Sequence, residues 1–283
     1  MDLLINPFLN NEFMVQALVA GALVSLACAI AGTFVVLRGL AFIGDALAHG
    51  VLPGIALAFL IGFPGMLGAA IGAVFMIGGI SFITRRSRLS SDTAIALLFI
   101  GMLSLGVIIV SRSNSFSGDL TRILFGEILG ISLSSIWIQL AATIVITLGA
   151  IICARPFLLL SFDPEQAQVA GFSSRLYHNI MLMMIALTVI VSFQTVGTLL
   201  VFGLLIAPAA AGALIARRIQ IMMLWAAIFG ILSMYIGLLL SYHFNLAAGA
   251  AIIIVTVAIF FIVFIIQNFR SRRFAHIKES ANG

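Results

Sequence analysis

Asp45 and His49, in the run Gly44-Asp45-Ala46-Leu47-Ala48-His49-Gly50, place a carboxylate and an imidazole four residues apart in an otherwise apolar stretch. On a helix that spacing puts both on one face. Counting about 1.5 Å per residue from Gly39, Asp45 lies about 9 Å and His49 about 15 Å into the stretch, so His49 sits near the middle of a bilayer. A carboxylate at such depth costs about 2.5 kcal/mol or more, and intramembrane ionisable groups are functional candidates by default. Three chemistries fit the pair: a contact that only fastens the helix to its neighbours, a proton relay, and ligation of a divalent metal. Imidazole with carboxylate suits manganese, iron or zinc, whereas a soft metal calls for thiolates. One Asp and one His are too few for a closed site, but a homodimer with its two-fold axis between these helices supplies two of each. Gly44, Ala46, Ala48, Gly50 and Gly54 allow the close helix approach that such a site needs. Pro53, two turns after Asp45, is expected to free a backbone carbonyl and kink the helix.

The remaining reactive side chains carry less. His178 and His276 fall at or beyond the ends of apolar runs, and His243 stands beside Tyr242 and Asn245 at another end, positions typical of the membrane interface. Met181, Met183, Met184, Met222 and Met223 lie inside apolar runs, where methionine packs rather than binds copper. Cys28 and Cys153 are far apart with no C-x-x-C spacing, which argues against a disulfide framework or thiolate site. The sequence contains no Walker A, G-x-S-x-G or H-E-x-x-H pattern. If ATP drives this protein, hydrolysis belongs to another chain, so it reads as a transport subunit rather than an enzyme.

The elements that position Asp45 and His49 follow from composition. Of 283 residues, 63% are hydrophobic and 8% charged, against about a quarter charged in ordinary domains. A soluble globular enzyme is excluded, and an all-α integral membrane protein is predicted. Runs long enough to cross about 30 Å of hydrocarbon extend approximately over 13–37, 40–61, 66–84, 93–110, 131–154, 177–196, 198–216, 221–242 and 246–269. The bundle therefore has about nine spans. The weakest break is at Gln194–Thr198, and eight spans result if residues 189–216 include a broken or re-entrant helix. Nothing before Glu12 resembles a cleavable signal peptide. The net charge of +5 comes from 14 basic against 9 acidic residues; these cluster at the ends of apolar runs, which favours a bilayer and disfavours nucleic acid. With the N-terminus outside, Arg38, Arg85, Arg86, Arg88, Arg155, Arg175, Arg217, Arg218, Arg270, Arg272, Arg273 and Lys278 fall inside, and only Arg112 and Arg122 outside. That asymmetry predicts a cytoplasmic C-terminus.

Two connections exceed a turn. Residues 111–130, with Asp119 and Glu127, are expected to cap an external entrance. Residues 155–176 form the longest inner loop, and within it 163–171 reads as a short helix. Asp163 is its N-cap, Pro164 occupies the first position, Glu165 complements the dipole, and Gly171 stops it. Such a helix is either an ordinary capped loop or a docking element for a cytoplasmic partner.

These residues resemble the membrane permeases of ABC importers for manganese, zinc and iron, which work with cluster A-I metal-binding proteins. Val36-Leu37-Arg38 with Gly44-Asp45-Ala46-Leu47-Ala48-His49 and Leu52-Pro53-Gly54 resembles the family's second-helix signature. Asp163-Pro164-Glu165, Ala167 and Gly171 resemble its coupling helix, and Val196-Gly197-Thr198-Leu199-Leu200 with Ala207-Pro208-Ala209-Ala210 its pathway helix. The likeness covers nearly the whole chain; Ala48 replaces a serine usual before the histidine, removing a hydroxyl and leaving both ligands. The resemblance implies a single type II permease domain, 1–283, in the bacterial plasma membrane, forming a homodimer. Its partners would be two cytoplasmic ATPase subunits that bind ATP and an extracytoplasmic metal-binding protein. Its cargo would be Mn2+, Zn2+ or Fe2+, and its pathway would include Pro53, Gly197 and Pro208. A proton-coupled carrier using Asp45 and an intramembrane metalloenzyme are the alternatives. The carrier would not need the coupling helix, and the enzyme lacks a third histidine or second acid at comparable depth.

Overall fold

A computed structural model describes residues 6–8, 11–86, 91–111 and 128–281. In chain order the helices are α1 (Glu12–Leu37), α2 (Ala41–Gly50), α3 (Leu52–Leu60), α4 (Gly65–Arg86), α5 (Ser91–Ser111), α6 (Leu133–Ile152), α7 (Ala154–Phe162), α8 (Pro164–Val169), α9 (Ser174–Val196), α10 (Thr198–Ile215), α11 (Ile219–Phe244) and α12 (Ala248–Ala281), with a short 3-10 turn at Ile128–Gly130. No strand occurs among the described residues. Eight segments are long and apolar enough to cross a membrane: Glu12–Leu37, Ala41–Leu60, Gly65–Thr84, Leu133–Ile152, Ser174–Val196, Thr198–Ile215, Ile219–Phe244 and Ala248–Phe269. A shorter apolar stretch, Asp92–Gly106, lies in α5. The nine runs read from the sequence thus each correspond to helix. Most of the expected external cap, including Arg112, Asp119, Arg122 and Glu127, and also Arg88, lies outside the described residues.

Three features differ from the sequence expectation. Run 40–61 is two helices, α2 and α3, broken at Val51. Pro53 has no N–H for the carbonyl of His49, and the N–H of Val51 bonds the Leu47 carbonyl at 3.2 Å. Residues 154–162 form α7 rather than loop, because Pro156 falls in its first turn, where a missing donor is tolerated. The weak break at 194–198 separates two helices, each long and apolar enough to cross a membrane. Gly197, at φ 92° and ψ 156°, adopts backbone angles that side-chain-bearing residues rarely reach.

The chain reverses at Gly197. Near the start of α9, Asn179 accepts a hydrogen bond from Ser81 at the end of α4 (3.0 Å), whereas Thr195 at its other end reaches Gln139, early in α6. From there α10 descends until Ala209 packs with Ala29 of α1 and with Met222 and Ala226 of α11. Helix α1 is the centre of the bundle, packed by α6, α9, α10 and α11, while α2 lies against α5, α9 and α10.

Backbone contacts in this bundle are close. A Cβ built on Gly32 of α1 would fall 1.9 Å from the carbonyl oxygen of Leu205 in α10, a backbone atom that cannot rotate away. Gly32→Ala is therefore expected to destabilise the protein by about 1–3 kcal/mol, read as a clear drop in melting temperature in detergent. An unchanged melting temperature would show that the α1–α10 contact can open at no cost.

Candidate functional site

Helix α2 has two faces of different chemistry. Ile43, Gly44, Ala46, Leu47, Ala48 and Gly50 are buried. A Cβ on Gly44 would meet Leu205 of α10 at 2.6 Å, and one on Gly50 would meet the sulfur of Met76 in α4 at 2.2 Å. The missing side chains are what let α2 seat against its own bundle. The other face carries Phe42, 66% exposed, together with Asp45 and His49, whose side chains are 39% and 21% exposed. Nε2 of His49 stands 3.4 Å from Oδ1 of Asp45, and the imidazole lies beside Phe99 of α5 with ring centroids 6.1 Å apart. The expected one-face arrangement is therefore present, and the face points out of the chain.

Among the described residues, no group of three or more His, Cys, Asp or Glu side chains could hold a metal ion. Asp45 and His49 provide one carboxylate and one imidazole, two ligands of the four that a tetrahedral ion takes. A closed site of that kind would need ligands beyond these two.

The expected pathway residues occupy different places. Pro53 is buried at the start of α3 and packs against α5, where a Cβ on Gly106 would meet its Cδ at 3.4 Å. Pro208 is buried inside α10, and Gly197 caps that helix. Helix α10 reaches α2 through Phe202 and Leu205, which meet Gly44 on the buried side. Gly197 and Pro208 thus lie at the start of, and within, the helix whose Leu205 packs behind Gly44. Arg38, capping α1, keeps one guanidinium nitrogen buried without a hydrogen-bond partner among the described residues, and burial pushes its pKa down.

The second candidate element, α8, is built as its sequence predicts. Oδ1 of Asp163 accepts from the N–H groups of Glu165 and Gln166, each at 3.0 Å; Pro164 opens the helix. At the far end Phe172 N–H donates to the Ala167 carbonyl (2.9 Å) and Gly171 N–H to that of Gln168 (3.0 Å), with Gly171 at φ 83°. This is a Schellman termination. Glu165, Gln166, Gln168 and Val169 are exposed. Ala167 is not: at 1% exposure it is covered by the chain itself, so its contribution is to seat α8 rather than to touch a partner.

Two residues that the sequence reading passed over complete this surface. Val169, 91% exposed, and Phe162, 68% exposed, are apolar groups next to a polar helix. Between α7 and α8 lies an open groove of about 680 Å³ lined by Ala154, Arg155, Leu158, Leu159, Gln166, Val169 and Ala170. An apolar residue in the short polar run Pro164–Val169 was the available signal.

Residues 10–267 match the ABC 3 transport family. The chain is 36% identical over 277 residues to the manganese transport system membrane protein MntC of Listeria innocua, covering 98% of this chain and 99% of that one. It is 34% identical over 289 residues to the chelated iron transport system membrane protein YfeD of Yersinia pestis, covering 99% and 95%. Among solved structures, PsaBC from Streptococcus pneumoniae in complex with Fab is similar, with a TM-score of 0.82 at 33% identity over 92% of this chain and 94% of that one.

Proposed function

Because the chain belongs to the ABC 3 transport family, we propose that it is the membrane permease subunit of an ATP-driven importer that moves a divalent transition metal, Mn2+, Fe2+ or Zn2+, into the cytoplasm. The observation that carries this reading is the outward-facing Asp45–His49 pair on α2. A partly exposed carboxylate and imidazole facing hydrocarbon would be costly, and a second copy of the chain facing them across a two-fold axis answers both that cost and the missing ligands. Two carboxylates and two imidazoles replace part of the ion's hydration shell and neutralise its charge at mid-membrane. The relatives with manganese and iron in their names support the class of cargo.

The rest of the assembly follows the two ends of the bundle. Helix α8 and its groove lie at the end where Arg38, Arg155, Arg175, Arg217 and Arg218 gather, which the positive-inside rule assigns to the cytoplasm. Two ATPase subunits dock there, through Asp163, Pro164, Glu165 and Gly171 with Ala167 as the seat, and they bind and hydrolyse ATP. An extracytoplasmic binding protein delivers the ion at the opposite end. On this reading residues 1–283 form one permease domain in a bacterial plasma membrane, N-terminus outside and C-terminus cytoplasmic.

The test is reconstitution of the permease with its ATPase in vesicles, followed by radioactive manganese with iron and zinc as competitors. ATP-dependent accumulation, competed by the other two ions, is expected. Accumulation that needs only a proton gradient would replace this reading with the carrier, and no accumulation of any of the three ions would end it.

A further inference from the structure

Helix α6 packs on α1 and α9 through one narrow face. Its buried residues are Gln139, Ala142, Thr143, Ile146 and Ala150, whereas Trp137, Ile138, Val145, Leu148 and Ile152 are exposed. Lipid tails are as apolar as these side chains, so burial does not drive such a helix onto its neighbours; small contacts and hydrogen bonds must. Gln139 supplies them. It is fully buried, its Nε2 donates to Oγ of Ser192 in α9 at 3.4 Å and to Oγ1 of Thr143 at 3.4 Å, and its Oε1 accepts from Oγ1 of Thr195 at 3.4 Å. The Thr143 hydroxyl in turn lies 3.3 Å from the Leu23 carbonyl of α1 and 2.8 Å from that of Gln139. One side chain thus ties α6 to α9, two residues before Gly197.

The other end of α6 leads to the cytoplasmic surface without a loop. Cys153 closes α6 and opens α7, its N–H bonded to Gly149 and its carbonyl to Phe157, both at 2.9 Å, and α7 passes through Asp163 into α8. From Gln139 to Cys153 is 14 residues, about 21 Å of helix.

We propose that α6–α7–α8 is a transmission arm and that Gln139 is its positioning residue, passing displacement of α8 to the reversal at Gly197 and hence to α10, which supports α2. A loose cluster suits this role: two bonds of 3.4 Å to α9 hold the arm in register without locking it. The inference rests on the ATP-driven reading above and adds the route by which hydrolysis would reach the membrane site.

The experiment uses the complete permease–ATPase complex in vesicles and measures metal accumulated per ATP hydrolysed. Gln139→Leu, which keeps the bulk and removes the bonds, is expected to lower that ratio about three- to tenfold while co-purification and basal hydrolysis stay at wild-type level. Thr195→Val should lower it in the same direction by less, and Thr147→Val, whose hydroxyl bonds only within α6, should not. Spin labels at Gln168→Cys and Leu199→Cys, with Cys28 and Cys153 replaced by Ala, should report an ATP-induced distance change that Gln139→Leu abolishes. An unaltered ratio and distance change in Gln139→Leu would overturn the proposal. If that variant fails to assemble, a wild-type ratio in Thr195→Val overturns it equally. Failure of the unmodified complex to accumulate metal with ATP would instead refute the reading on which it rests.

Discussion

Asp45→Ala is expected to reduce metal uptake by at least about a hundredfold while the protein remains inserted, folded and bound to its ATPase. Loss of a residue that only supports a metal ligand already costs about 10- to 100-fold, and removal of a ligand exceeds that. The separation of uptake from assembly comes from the structure. Asp45 is on the outward face of α2, and its polar contact among the described residues is the 3.4 Å approach of His49, an i,i+4 pair of a type worth only a few tenths of a kcal/mol. Among the described residues no packing contact depends on its carboxylate, and an apolar residue there is less costly in lipid. His49→Ala should give the same phenotype, and the double variant should be no worse than either single one, because half a ligand set is already lost. Initial rates of radioactive manganese entry, with melting temperature and co-purification measured alongside, decide the matter. Near wild-type rates in both single variants would reduce the pair to a helix fastener.

Ala167→Arg and Val169→Glu should both lose the ATPase, for different reasons. Ala167 is 1% exposed and its carbonyl holds the N–H of Phe172, so an arginine must lift α8 from its seat. We expect co-purification of the ATPase to fall more than about tenfold, with a measurable loss of permease stability, since an unpaired charge cannot be left in that packing. Val169 is 91% exposed, so glutamate there disturbs nothing within the chain. It should spare permease stability and still lower co-purification and coupled hydrolysis, because a charge enters an interface that excludes water. Wild-type co-purification with Val169→Glu would place the docking surface elsewhere on this end of the bundle.

Much of this architecture was legible because its causes are local. A run of some 20 apolar residues has one stable arrangement in lipid, so each of the nine runs corresponds to helix. Asp163, Pro164 and Gly171 act on their own neighbours through backbone hydrogen bonds, and α8 formed as read. The break at Val51 was half legible, since Pro53 announces a defect without saying where the chain will part. Helix α7 was hidden by Arg155-Pro156, which looks like punctuation unless proline's tolerance in a first turn is weighed. Gln139 was illegible: its partners Ser192 and Thr195 lie more than 50 positions away, and a single glutamine in an apolar run does not identify them. The Asp45–His49 face was readable from spacing, but not which side of α2 the bundle would cover. That depends on Leu205 and Met76 filling the places left by Gly44 and Gly50.

The reversal at Gly197 bears on how the protein enters the membrane during synthesis. The connection between α9 and α10 is one residue without charge, flanked at the far ends of the two helices by Arg175 on one side and Arg217 and Arg218 on the other. No ionised group has to be carried across the bilayer to thread this pair, and the basic residues anchor both of its feet on the same side. The two helices can therefore insert together as a preformed hairpin, with their polar backbone already satisfied. Lengthening this connection with even two charged residues would burden insertion before it ever affected transport.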